Sequence, residues 1–278
     1  MRHTLAWVTP EERYLELLKS CLTRSAFGGD LHMLQPAANT LIGRAYLPVQ
    51  RLLGRFDLRL VGRVSPERVV EGYWPTSAET MLTPAGLDNI QYAVKTVIDE
   101  DVPGDLIETG VWRGGGAILM RAALAAYCDV TRTVWAADSF AGLPKPDEVH
   151  PADAGDVHWR YRELAVSLDE VRANFARYGL LDDQVRFLKG WFADTLPTAP
   201  INDLAVLRLD GDMYGSTMDA LEPLYPKVSP GGFVIVDDYA LSGCRRAVDE
   251  YRARKGIEGE LVRVDRTVVF WRKASVGG

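Results

Sequence analysis

The sequence predicts an α/β fold: a mostly parallel seven-stranded sheet ending in an antiparallel hairpin, with an added N-terminal helical segment. Two observations carry this expectation. From Pro84 onward, short apolar runs alternate with helical stretches, the pattern of strands buried on both faces under crossover helices. Near the end the rhythm breaks, because two strand-like runs (259–264 and 267–272) are joined only by Asp265-Arg266. So short a link cannot make a parallel crossover; it makes a hairpin.

The elements follow in order. Thr9-Pro10-Glu11-Glu12 reads as a helix start, with threonine as the cap and proline at the first helical position. Leu15, Leu17, Leu18 and Leu22 extend that helix to about Thr23. Residues 28–36 look like a loop, a second helix is expected over 37–53, and 71–75 show no clear period. Together these form an N-terminal segment, residues 1–83, expected to serve as a lid and as an interface between two copies of the chain. The second unit, 84–278, opens with a helix over 85–99. Strands are expected at 105–109, 133–138, 184–189, 204–210 and 232–237, with helices at 114–127, 168–178, 216–225 and 243–255. A parallel sheet closed by an antiparallel hairpin is the Rossmann-like class I methyltransferase arrangement; ordinary dinucleotide-binding dehydrogenases lack that ending.

Composition narrows the function. The 278 residues are 47% hydrophobic and 25% charged, ordinary for a globular enzyme. A net charge of −6 leaves no basic stripe for neutralising phosphates, which argues against a nucleic-acid partner. Cys21, Cys128 and Cys244 are far apart, so neither a zinc site nor a disulfide framework is suggested, and they read as reduced thiols of a cytoplasmic protein. No signal-peptide pattern and no membrane-length apolar run is present, so no membrane partner is expected.

The cofactor is read from the turn after the first strand. Glu108-Thr109-Gly110-Val111-Trp112-Arg113-Gly114 lies between strand and helix, the context of a nucleotide-binding turn. Glu108 is the informative residue. A carboxylate just before the first glycine would repel a pyrophosphate, but it suits the ammonium and sulfonium of S-adenosylmethionine. The competing reading makes Glu108 a structural ion-pair partner of Arg113. Asp138, at the end of the second strand, is placed to accept from both ribose hydroxyls, with Ser139 and Gly142 forming the wall beside it. Asp183, Gly190, Trp191 and Phe192 flank the third strand and are candidates for the adenine pocket; Trp191 or Phe192 could equally be core.

Two acidic groups mark the reaction site: Asp210-Gly211-Asp212 after the fourth strand and Asp237-Asp238 after the fifth. In an open α/β sheet, ligands bind outside the carboxyl ends of the strands. Both strands are expected to neighbour the first, which would put the carboxylates beside the methyl donor. Crowded carboxylates repel one another unless a cation bridges them, and oxygen-only donors suit Mg²⁺. Asp210, Asp237 and Asp238 are therefore the candidate ligands. Asp210 is also the candidate general base, with Asp212 second. A vicinal diol would be a natural acceptor, because coordination lowers a hydroxyl's pKa. Residues 145–159, rich in Pro, Asp and His, are expected to form a mobile lid in which His150 and His158 are solvated.

Several longer runs stand out: Leu209-Asp210-Gly211-Asp212-Met213-Tyr214, Ser216-Thr217, Leu224-Tyr225-Pro226-Lys227, Ser229-Pro230-Gly231-Gly232 and Asp237-Asp238-Tyr239, with Tyr14-Leu15-Glu16-Leu17-Leu18-Lys19, Tyr73-Trp74-Pro75 and Ala78-Glu79-Thr80-Met81 upstream. In these runs the sequence resembles the TylF/macrocin O-methyltransferase family. The resemblance implies a Mg²⁺-dependent transfer from S-adenosylmethionine to a deoxysugar hydroxyl on an antibiotic or related natural product. It implies the same three ligands and Asp210 as base, and a segment over 74–81 that closes over donor and acceptor. Two readings compete: a metal-independent methyltransferase acting on a phenol or other small molecule, and an NAD-dependent oxidoreductase, against which Glu108 and the terminal hairpin count.

Overall fold

The computed structural model describes residues 9–27, 31–33, 77–146 and 150–274, with scattered positions between 46 and 63. The helix expected over 37–53 lies outside the described residues apart from isolated helical positions, and the Tyr73-Trp74-Pro75 run lies outside them altogether.

Helix α1 (Pro10–Leu22) starts as its sequence demands. The Thr9 hydroxyl accepts from the Glu12 N–H at 3.2 Å, and the Glu12 carboxylate accepts from the Thr9 N–H at 3.1 Å. Strands β1 (Leu31–Met33) and β2 (Val61–Arg63) then pair antiparallel, with Leu31 opposite Arg63. This corrects the loop expected over 28–36. The partner strand is distant in sequence, and nothing local announces such a pairing.

Helix α2 (Pro84–Asp99) is capped by Thr83, whose hydroxyl accepts from Gly86 N–H at 3.1 Å and donates to Asp265 at 2.5 Å. Asp265 also accepts from the N–H groups of Thr267 and Val268, at 2.8 Å each. One threonine thus ties the start of α2 to the turn of the terminal hairpin.

The main sheet contains β3 (Asp105–Thr109), β4 (Val134–Asp138), β5 (Val185–Lys189), β6 (Leu204–Leu209), β7 (Val228–Val236), β8 (Val262–Arg263) and β9 (Val269–Arg272), in the order β5-β4-β3-β6-β7-β9-β8. The strands from β5 to β7 run parallel, while β9 pairs antiparallel with both β7 and β8. The seven strands and the terminal hairpin are as expected. The β7 strand borders β6 and not β3, so the Asp237-Asp238 pair sits one strand further from the glycine turn than the sequence reading placed it.

Alternating side chains feed opposite faces of the sheet. Leu106, Val206, Phe233 and Ile235 pack under α1, α2, α3 (Gly115–Ala126) and α4 (Leu168–Arg177). Ile107, Leu207, Val234 and Val236 pack on the other side, under α6 (Tyr214–Leu224) and α7 (Ser242–Lys255). A single turn of helix, α5 (Phe192–Thr195), follows β5. The carboxyl ends of β3, β4, β6 and β7 are left as one open edge, and the candidate residues collect there.

Candidate active site

The turn after β3 is shaped by what lies against it. Gly110 has φ 89°, and a Cβ there would stand 1.6 Å from the Asp210 carbonyl oxygen, so no other residue fits. Backbone pairing draws the three strand ends together: Gly110 N–H donates to Ala137 O at 2.9 Å and Asp210 N–H to Thr109 O at 2.8 Å. The Thr109 hydroxyl donates to Arg208 O at 3.2 Å.

Asp138 clips the loop shut. Its carboxylate accepts from the N–H groups of Val111 at 2.7 Å and Phe140 at 2.6 Å. Burial pushes its pKa up, while those N–H bonds pull it down. The Ser139 hydroxyl donates to Gly142 O at 2.6 Å, forming the neighbouring wall. Gly190 N–H donates to Asp138 O, and a Cβ at Gly211 would stand 3.6 Å from the Phe192 ring, so both lie at this edge; Trp191 is exposed. Asp183 departs from the set. It precedes β5 and sits at the opposite edge of the sheet, beside the Asp182–Arg121 pair. The remaining cofactor candidates gather at the carboxyl edge and Asp183 does not.

Glu108 lies beneath the turn. It is 2% exposed; one oxygen accepts from Arg208 at 2.7 Å and the other from Ala117 N–H at 2.7 Å. The alternative pairing with Arg113 is absent: Arg113 approaches Glu170 at 3.7 Å and donates to Ala78 O at 3.0 Å. Gly116 is required for this seating, since a Cβ there would meet Glu108 Oε1 at 2.0 Å. At the start of α3, the Gly115 N–H donates to Glu79 O at 2.9 Å. Pyrophosphate binds through such free N–H groups in dinucleotide folds. Here two of them are already taken by a carbonyl and a carboxylate, which disfavours a dinucleotide.

Arg208 is the residue the sequence reading missed. It is fully buried in β6 and donates to Glu108 and to Asp210 at 2.8 Å, with Asp237 3.2 Å away. Burial pulls its pKa down, but Asp210, Asp237 and Glu108 together hold it above the ordinary value. The available signal was a lone arginine inside the apolar run Leu204-Ala205-Val206-Leu207-Arg208-Leu209.

Asp210, Asp237 and Asp238 bring their oxygens within 4.8 Å of one another. Burial and the Asp210 charge push Asp237 up to about 8, and burial with the Asp212 and Asp210 charges raises Asp238 as well. Asp212 has φ 57° and donates its N–H to Asp238 at 2.9 Å. Its carboxyl rises to about 7 through burial and the Asp210 charge, with His158 pulling the other way.

The 145–159 segment is described on either side of 147–149. Its buried Asp153 accepts from the first N–H groups of α6, Tyr214 at 2.7 Å and Gly215 at 2.8 Å. One point of the expected lid is thereby pinned next to the acidic loop. His158 is not simply solvated, because its Nδ1 meets Asp156 at 2.9 Å, and His150 lies 3.6 Å from Asp219.

The chain is similar to known proteins in both sequence and fold. Residues 11–273 match the macrocin O-methyltransferase (TylF) family. The chain belongs to that family. As a macrocin O-methyltransferase family member it is an S-adenosylmethionine-dependent O-methyltransferase. It is 56% identical over 218 residues, 78% of this chain and 80% of the relative, to 8-demethyl-8-(2,3-dimethoxy-alpha-L-rhamnosyl)-tetracenomycin-C 4'-O-methyltransferase of Streptomyces olivaceus. It is 55% identical over 206 residues, 73% and 81% of the two chains, to mycinamicin III 3''-O-methyltransferase of Micromonospora griseorubida. The solved structure of the O-methyltransferase NovP superposes with TM-score 0.81 at 45% identity, covering 95% of this chain and all (100%) of that one. No helix among the described residues is long and apolar enough to cross a membrane.

Proposed function

We propose that this protein is a Mg²⁺-dependent methyltransferase whose acceptor is a hydroxyl of a deoxysugar on an antibiotic or related natural product. The observation carrying this reading is the convergence of Asp210, Asp237 and Asp238 beside the Gly110 turn, with oxygens within 4.8 Å. The donor set fits a hard cation. It is all oxygen, and Asp237 Oδ1 is buried without a hydrogen bond. Arg208 brings one positive charge to Glu108, Asp210 and Asp237 together, leaving negative charge in excess. The sugar class follows the relatives, one of which is named for a rhamnosyl group.

When bound, Mg²⁺ would lower the pKa of the acceptor hydroxyl and fix its position. The turn from Glu108 through Thr109, Gly110 and Arg113 to Gly114 seats the donor, with Glu108 buried beneath it. Asp138, Ser139 and Gly142 line the ribose side, and Gly190, Trp191 and Phe192 the adenine side. Asp210 takes the hydroxyl proton. The acceptor oxygen bonds to the methyl carbon as the carbon–sulfur bond breaks, its electron pair stays on sulfur, and S-adenosylhomocysteine departs.

The test is methyl transfer to a panel of glycosylated natural products. A chelator should abolish turnover and added Mg²⁺ restore it, while Asp237→Asn should lose at least about a hundredfold in kcat, the scale of a lost electrostatic contact in the transition state. Turnover that survives chelation would leave metal-independent transfer to a phenol or another small acceptor.

A further inference from the structure

Glu79 is buried, 2% exposed, and neither donor nor metal chemistry explains it. Its carboxylate accepts from Arg24 at 2.9 Å, from Tyr178 at 3.2 Å and from Arg177 at 3.5 Å. Its N–H donates to Leu22 O at 3.0 Å, and its carbonyl accepts from Gly115 N–H at 2.9 Å. One residue therefore joins the end of α1, the end of α4 and the start of α3. Arg177 continues the junction to Asn174 at 2.6 Å, and Asn174 donates to Arg113 O at 2.8 Å. The glycine turn is held from both sides, by Ala78 and Glu79 on one and by Asn174 on the other.

Two further features fit only this arrangement. Gly115 has no side chain where a Cβ would meet Glu79 O and Thr80 Cβ at 2.6 Å, so the segment presses directly on the turn. Arg24 adopts φ 63°, a left-handed conformation disfavoured for any residue with a Cβ, and in it reaches both Glu79 and Ser77 O. Burial raises the Glu79 carboxyl against the pull of Arg24, Tyr178 and Arg177.

We infer that Glu79 is a positioning residue for the methyl donor: by locking the 77–80 backbone onto the Trp112–Gly115 turn, it makes donor binding depend on the docked N-terminal segment. Glu79 acts through the turn and touches neither donor nor acceptor. Donor affinity then includes the free energy of keeping α1, the segment and the turn ordered together.

The inference rests on the donor occupying that turn, and calorimetry with S-adenosylhomocysteine separates the two claims. If the wild type fails to bind, the donor site is misplaced. If the wild type binds, folded Glu79→Gln should bind about tenfold more weakly, with KM for S-adenosylmethionine rising in parallel and kcat at saturating donor within about threefold, a tenfold change being 1.4 kcal/mol. Tyr178→Phe should shift the same two quantities in the same direction by less, and it carries the test if Glu79→Gln does not fold. A purely structural Glu79 would lower the melting temperature and leave affinity and KM unchanged. That result, or a fall in kcat with unchanged affinity, overturns the inference.

Discussion

Arg208 and Glu108 show how single residues set the electrostatics under the turn. Arg208 shares one charge among three carboxylates, so replacing it leaves buried anions without compensation. Arg208→Met should destabilise the fold by about 3–5 kcal/mol in urea denaturation, the usual effect of breaking a buried pair from one side. Because that single charge is divided, it does not offset the burial of Glu108, whose pKa is pushed up to about 7. The folded value lies above the unfolded one, near 4.5. The stability that goes with the protonated form is complete below pH 4.5 and disappears as the pH rises through about 7. Melting curves between pH 4.5 and 8 should therefore fall more steeply for the wild type than for Glu108→Gln; parallel curves would refute the shift. That a carboxylate precedes Gly110 was legible in the sequence. That it would face Arg208 was not, because the two are 100 residues apart and Arg113 lies far nearer in the chain.

Among the elements, those with local signals came through and those with distant partners did not. The Thr9 cap, Pro10 and leucine spacing set α1, and the Asp265-Arg266 link set the hairpin. The β1–β2 pair gave no such sign, because its stability comes from cross-strand bonds between segments far apart in the chain. The start of α6 has no side-chain cap of its own, and the 150–153 turn supplies one through Asp153. Asp153→Ala should cost about 1–2 kcal/mol, the price of a lost N-cap, measured as a shift in the urea midpoint. It should also raise KM for the acceptor more than KM for the donor, because α6 follows directly on the Asp210–Met213 loop. Equal effects on both substrates would place the loop away from the acceptor.

In the whole molecule, sheet order decides which carboxylates meet. β3, β6 and β7 lie side by side, so residues that end different strands share one edge. A cation held by Asp210, Asp237 and Asp238, as proposed above, would stabilise the fold by mass action, by about 2.7 kcal/mol at a hundred times its dissociation constant. Mg²⁺ should therefore raise the melting temperature of the wild type and leave that of a doubly substituted Asp237→Asn, Asp238→Asn variant unmoved. An equal rise in both would place the ion elsewhere.

The amino-acid sequence by itself determined the alternation of strands and helices, the closing hairpin, the glycine turn and the acidic strand ends, since each rests on the period of side chains along one segment or on turn chemistry between neighbours. The tertiary structure alone decided that Arg208 gathers Glu108, Asp210 and Asp237, that Asp153 caps a distant helix, and that Glu79 joins α1, α3 and α4 at the glycine turn. Apart from Arg208 and Asp210, which are two positions apart, those contacts join residues tens to a hundred positions apart, and a buried charge takes its partner from whatever the packed sheet brings within hydrogen-bond reach.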